Sequence, residues 1–153
     1  MKGDAFRAAV EAEDPHGIVE ALADDVVFRS PAVFKPYEGR EVVGAIITQG
    51  AMRVFEDFRY TEQLEHGDTA ALIFQARIGD RRLDGLDLLR FDADGKVREL
   101  MVMVRPLTGL NALAEAMGRR FETIRAHRPD GRRGWFLHTA RPPGSLKTIR
   151  AHS

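Results

Sequence analysis

Residues 69–106 read TAALIFQARIGDRRLDGLDLLRFDADGKVRELMVMVRP. The apolar runs of this stretch predict three consecutive antiparallel strands at 70–78, 83–91 and 97–104, joined by tight turns. The second turn contains Gly95, a residue type that tolerates the positive φ such hairpins need. Each run carries apolar residues at odd and even positions, so both faces of the predicted sheet require cover. We expect helices on one face and a partner subunit or second sheet on the other.

The rest of the chain predicts elements that can supply this cover. Apolar residues at helical spacing, with Asp14-Pro15 as a start signal, predict two short N-terminal helices. In chain order the predicted elements are helices at 4–13 and 15–22, a strand at 26–30, a helix at 39–54, a strand at 58–64, the three central strands, and a helix that ends near residue 126.

Composition excludes several classes of function. The chain has 153 residues, a formal net charge of zero and no cysteine. The lack of cysteine excludes disulfides, thiolate catalysis and cysteine-ligated metal sites. The histidines are scattered without metal-ligand spacing, and no glycine-rich phosphate-binding loop is present, so we expect neither metal nor cofactor. No signal peptide or membrane span is evident, and we expect a cytoplasmic protein that binds neither membrane nor nucleic acid.

The charge pattern divides the chain into a body, 1–127, and a C-terminal tail, 128–153. Residues 125–153 carry seven Arg or Lys and one acid, a net charge of +6 that balances −6 in the rest. The tail is rich in Pro and Gly, so we expect it to be irregular. Nucleic-acid binding by this basic segment is the alternative. The pentapeptide Thr-Ile-Arg-Ala-His occurs at 123–127 and again at 148–152, and we have no physical account of it.

Four motifs in combination carry a family resemblance. They are LADDVVF at 22–28, YEGRE at 37–41, GLDLLRF at 85–91 and DGKV at 94–97. With the order of elements, they resemble the nuclear-transport-factor-2-like superfamily and, within it, the SnoaL-like proteins. The resemblance covers residues 1–107 and implies a cone-shaped α+β barrel, in which a curved, mostly antiparallel sheet wraps around helices and an internal pocket. Members include ketosteroid isomerases, dehydratases, epoxide hydrolases and polyketide cyclases, so the fold alone gives no function.

Positions that carry catalysis in relatives are altered in this chain. By the resemblance, the acid of cyclases and epoxide hydrolases corresponds to Val102, and the arginine and aspartate of epoxide hydrolases correspond to Gln75 and Arg77. The tyrosine and asparagine that hold their water correspond to Phe28 and Ser30. Of these five positions only Ser30 could hold a water, and the other four lack the groups that the hydrolase reaction needs. Epoxide hydrolase chemistry is therefore disfavoured, and Val102 weakens the cyclase interpretation.

Asp87 is the remaining candidate for chemistry. A carboxylate between two leucines of a central strand is costly to bury as an unpaired ion. The resemblance places it on the pocket side, opposite Val102 and Val104, which requires a bulge near the turn at 92–96. Two alternatives remain open and can coexist: Asp87 is a pocket acid, or it forms a salt bridge with Arg77 or another basic residue within the sheet.

Other side chains are candidates for contact with the ligand. The polar candidates are Arg77, Gln75, Ser30 and Tyr37, and the apolar ones are Phe28, Val102 and Val104. Arg77 and Gln75 have a second interpretation, as residues of a solvent or dimer face.

Two functions therefore remain open. The first is a small-molecule binding protein or cofactor-independent isomerase, cyclase or lyase, with Asp87 as catalytic acid or base. The second is a non-catalytic dimeric member whose pocket only binds a ligand or is vestigial. Met101 and Met103 lie on the face opposite Val102, and we expect this face to form a homodimer.

Overall fold

The computed structural model describes residues 1–126, so the predicted tail and the repeated pentapeptide lie outside the described residues. No helix in the described part is long and apolar enough to cross a membrane. The elements, in order, are α1 (Asp4–Glu11), α2 (Pro15–Glu20), β1 (Leu22–Arg29), β2 (Tyr37–Glu38), α3 (Arg40–Ala45), a π-helical segment (Ile46–Ala51), α4 (Met52–Val54), β3 (Glu56–His66), β4 (Thr69–Ile78), β5 (Arg81–Phe91), β6 (Val97–Arg105) and α5 (Leu107–Ala126).

One curved six-stranded sheet, in the order β2-β1-β6-β5-β4-β3, organises these elements. Neighbouring strands are antiparallel except β1 and β6, which are parallel. The three predicted central strands are confirmed as β4, β5 and β6. The sheet does not close, and its helices cover one face, which is the predicted α+β architecture of a cone-shaped, curved sheet.

The hairpin between β5 and β6 sets the register of the central strands. Gly95 has a φ of 79°, as predicted for this turn. The Asp92 carboxylate accepts hydrogen bonds from the backbone N–H groups of Asp94 and Lys96. Beyond the turn the register shifts, because Phe91 pairs with Val97 whereas Arg90 pairs with Glu99. This shift is the predicted bulge, and it places Asp87 directly opposite Val102.

The sheet's inner face forms the core with the helices. Leu72 and Phe74 of β4 and Leu89 of β5 are almost completely buried there. Gly85 of β5 pairs with Phe74, and a Cβ at Gly85 would lie 2.0 Å from the Phe74 ring. The missing side chain therefore leaves the space in which that ring lies.

The first strand starts earlier than the sequence predicts. The sequence predicts a helix at 15–22 and a strand at 26–30, yet β1 begins at Leu22, which pairs with Val97 of β6. The register shifts between Leu22 and Val27, and this irregularity keeps Leu22 and Val26 buried while the acidic pair Asp24-Asp25 faces solvent. Pairing with a central strand thus outweighs the local helical pattern.

The predicted helix at 39–54 is present but is not a regular α-helix. Its middle third, Ile46–Ala51, is π-helical, and Gly39 precedes the helix with a φ of 97°. Ile46 and Ile47 of this segment are buried toward the sheet. Wider π-helical turns are frequent at functional sites, and this one contributes to the wall described next.

Candidate functional site

A cavity of about 460 Å³ lies between the inner face of the sheet and the helices α1, α5 and the π-helical segment. This volume is within the range of sites for small organic ligands. Side chains from β1 to β6 form one wall, and most of the lining atoms are apolar. The interior of the cavity is therefore mostly apolar.

Asp87 is the polar group of the inner wall. Strand alternation on β5 directs it inward, with Gly85 and Leu89 on the same face. It is the only acidic or basic side chain that is buried among residues 1–122, and it lines the cavity. The Tyr60 hydroxyl donates a hydrogen bond of 2.7 Å to its Oδ2 atom. No ion pair reaches Asp87 within the described part of the chain.

Burial controls the protonation of this pair. Desolvation raises the pKa of Asp87 from 3.8 to about 7, and the hydrogen bond from Tyr60 opposes the rise without cancelling it. Burial and the neighbouring Asp87 raise the pKa of Tyr60 well above 10, so its hydroxyl remains a donor. Near neutral pH the carboxyl group can therefore give up or accept a proton, which is the property that general acid–base catalysis needs.

A cluster of aromatic rings that includes Tyr60 lies in the same cavity lining as this carboxyl group. Phe58 stacks on Phe74 with ring centroids 4.7 Å apart, and Phe58 meets Tyr60 edge to face at 5.0 Å. Phe55 contacts Phe74 edge to face at 5.6 Å. All four rings line the cavity. They hold Tyr60 in position and keep the dielectric around Asp87 low.

Other acids of the sheet form ion pairs with arginines. Arg77 binds Asp57 at 2.6 Å and Glu56 at 2.7 Å, both on β3. Glu99 accepts from Arg29 at 2.7 Å and lies 3.1 Å from Arg90. These arginines lower the pKa of Glu99, with Arg29 the main cause. These three acids are paired with arginines, whereas Asp87 is not.

Comparison with known proteins identifies the family of the chain. A family model described as a SnoaL-like domain matches residues 4–100. The chain belongs to the SnoaL-like family. A solved structure of a steroid delta-isomerase from Pseudomonas aeruginosa is 42% identical, with a TM-score of 0.78, over 82% of this chain and 92% of that one.

Other structures extend the SnoaL-like comparison. An uncharacterised bacterial protein with a cystatin-like fold from Silicibacter pomeroyi is 31% identical, with a TM-score of 0.76, over 80% of this chain and 86% of that one. A putative ketosteroid isomerase from Kribbella flavida, 20% identical over 69% of this chain and 76% of that one with a TM-score of 0.59, shares the fold. No curated protein matches the sequence.

The SnoaL-like cavity brings together five of the residues predicted from the sequence. Asp87, Phe28, Ser30, Tyr37 and Val102 all line it. Phe28 and Tyr37 stack with ring centroids 6.1 Å apart. The Ser30 hydroxyl oxygen accepts a hydrogen bond from the N–H of Ala32, which leaves its O–H free to donate to a ligand.

Three predicted contact residues lie outside the cavity lining. Arg77 does not pair with Asp87, because its register places it opposite Arg82 and its side chain reaches Glu56 and Asp57 instead. Gln75 is exposed and accepts a hydrogen bond from Arg59. Val104 is on the inner face, opposite Gly85, and packs against the core.

The sequence analysis missed Tyr60 as a site residue. Tyr60 is two residues from Phe58 on β3, so both were expected on the same face of the sheet. Nothing in the local sequence indicated a hydrogen bond to a residue 27 positions away. Among the described residues, no cluster of three or more His, Asp or Glu side chains is arranged to hold a metal ion. The polar side-chain groups that line the interior are one carboxyl group and a few hydroxyl groups.

Proposed function

We propose that the cavity binds an apolar small molecule and that Asp87 moves a proton on it without a cofactor. The observation that carries this proposal is the position of Asp87: a carboxyl group on the wall of an apolar cavity, with its pKa raised to about 7 and one hydrogen-bond partner, Tyr60. Such a group is half ionised near neutral pH and can serve as base and then as acid.

The reaction class that fits a single carboxyl group is a 1,3-proton shift next to a carbonyl. The ionised Asp87 removes a proton from the carbon beside the carbonyl, which leaves an enolate and a neutral Asp87, so the total charge inside the cavity does not change. The protonated Asp87 then returns the proton to another carbon of the enolate, so the double bond moves and no atom is gained or lost. The 42% identity to a protein described as a steroid delta-isomerase supports an isomerase of this kind.

The test is turnover of a steroid with a β,γ-unsaturated ketone, followed through the ultraviolet absorbance of the conjugated product. We expect turnover by the wild type and a loss of about 10²-fold or more in Asp87→Asn, the usual range for removal of an acid–base group. Glu99→Gln, an acid of the outer face, is the matched control and should retain full activity. Turnover that survives Asp87→Asn contradicts the proposal.

A binding protein without turnover is the second candidate. The observation that favours it is that Asp87 is the single buried acid of the described chain, with no second buried acid or base to share the work. In that case the same steroid binds, but neither the wild type nor Asp87→Asn converts it. Tight binding without product therefore assigns the cavity to binding alone.

We also propose that the outer face of the sheet forms a homodimer. Cross-strand pairing aligns Ile73, Leu86 and Met103 in one apolar row and Ala71, Leu88 and Met101 in the next, and Met103 is 48% exposed. Such a row needs cover. Sedimentation at tens of micromolar should give a dimer that Leu88→Glu dissociates, whereas Phe34→Glu, on the exposed loop beside the cavity, leaves it intact. A wild-type monomer contradicts the proposal.

A further inference from the structure

The charges of the cavity lining have one sign. Among the described residues, the lining includes five acids and no Arg, Lys or His; the acids are Glu11, Glu13, Asp57, Asp87 and Glu115. Apart from Asp87 they are exposed, so they lie at the rim, and Asp87 lies inside. An anion that entered this cavity would therefore meet no positively charged lining residue.

Only part of this negative charge is neutralised by neighbours. Arg7 pairs with Glu11 at 3.3 Å, and Arg77 pairs with Asp57 at 2.6 Å. Neither Glu13 nor Glu115 has an ion pair with any residue the structure describes. Among the residues that the structure describes, the rim therefore keeps a net negative charge that a charged ligand must pass.

The interior of the cavity also favours a cation over an anion. Asp87 accepts one hydrogen bond, from the neutral Tyr60 hydroxyl. An anion placed beside it would lose its hydration without gaining a counter-ion, whereas a protonated amine would find a carboxylate.

We propose that the cavity selects its ligand by charge: it takes uncharged molecules and protonated amines on an apolar skeleton and excludes carboxylates, phosphates and sulfates. This inference rests on the proposed function only in that the same cavity holds the ligand. It narrows the substrate class to neutral ketones, alcohols and amines. It also means that a reaction supplying this substrate must already have removed any acid or phosphate group.

The test is a matched series on one skeleton: 2-(2-naphthyl)ethanol, 2-(2-naphthyl)ethylamine and 2-naphthylacetic acid, measured by titration calorimetry near neutral pH. We expect the amine to bind at least as tightly as the alcohol and the acid to bind about tenfold or more weakly. The double variant Glu13→Gln/Glu115→Gln should reduce the disadvantage of the acid, most visibly at low salt. Glu41→Gln/Asp94→Asn removes the same charge away from the cavity and should change nothing.

The outcomes separate this inference from the proposed function. Equal affinity for the acid and the alcohol overturns charge selection, even if the steroid ketone is converted. Preserved charge order without conversion of the ketone overturns catalysis and leaves charge selection standing. Failure of all three naphthyl probes to bind overturns charge selection, together with the proposal that the cavity binds small apolar molecules.

Discussion

The two faces of one sheet give their carboxylates opposite properties. Asp87 on β5 is 8% exposed, has one neutral donor, and has a pKa raised by desolvation. Glu99 on the adjacent β6 faces outward between Arg29 and Arg90, and its pKa is lowered. The strands are neighbours, so the difference comes from the face and not from the region of the chain. An ion pair fixes a charge, whereas an unpaired buried acid remains able to change its protonation.

The largest contrast between the faces should appear on truncation of adjacent side chains of β4. Phe74 is 1% exposed and contacts three other rings, so Phe74→Ala should lower the free energy of unfolding by about 3–5 kcal/mol. Ile73, the next residue, faces outward and is partly exposed, so Ile73→Ala should cost about 1 kcal/mol. Urea denaturation measures both free energies of unfolding, and equal losses would contradict the predicted difference between the two faces.

Removal of the buried charge should stabilise the protein at high pH. The folded pKa of Asp87 lies above the unfolded value of 3.8, so its stabilising contribution is complete below that pH and is lost as pH rises toward about 7. The Asp87→Asn variant carries no charge at this position. Its free energy of unfolding should therefore exceed that of the wild type by about 2–4 kcal/mol above neutral pH. Denaturation from pH 4 to 8 measures this, and a variant less stable than the wild type throughout would contradict an unpaired acid.

The space beside Asp87 should be intolerant of one added methyl group. Because a Cβ at Gly85 would overlap the Phe74 ring, Gly85→Ala should cost about 1–3 kcal/mol and displace that ring. Gly44→Ala is the matched control, since its Cβ would meet a Val19 methyl at 3.1 Å, where a small shift suffices. Thermal unfolding compares the two, and a Gly85→Ala protein as stable as the wild type would be inconsistent with this packing.

The smallest effect should belong to the outer face. Glu99→Gln removes two ion pairs whose arginines are 43% and 41% exposed, and it should cost under about 1 kcal/mol near neutral pH. Because the folded pKa of Glu99 is lowered, its contribution is present above the unfolded value of 4.5 and is lost as pH falls through the folded pKa. The stability difference from the wild type should therefore disappear in acid, as for Asp87→Asn, but its sign at neutral pH is opposite, because Glu99→Gln destabilises the protein and Asp87→Asn stabilises it. A difference that grows in acid would count against the assignment.

The sequence was most informative where periodicity and turn chemistry agree. Three strands and the Gly95 turn follow from alternation and turn chemistry, and the inward direction of Asp87 follows from the family resemblance together with the bulge that it requires. The partner of Asp87 does not follow, because β3 has two register irregularities and Tyr60 reaches Asp87 across β4. Arg77 was the nearer candidate along the chain, but its own strand pairs it with β3 acids. Long-range pairing across a curved sheet is not encoded in local spacing.

The most direct test of an unpaired, desolvated acid is the titration of Asp87 itself. Carbon-13 NMR of the aspartate carboxyl carbons, with Asp87→Asn to assign the signal, reports its pKa in the folded protein. The account predicts a midpoint near 7, well above the ordinary 3.8, and a signal that shifts when an apolar ligand fills the cavity. A midpoint at or below 3.8 would mean that Asp87 is paired or solvated, and it would contradict both its isolation in the cavity and its proposed role in proton transfer.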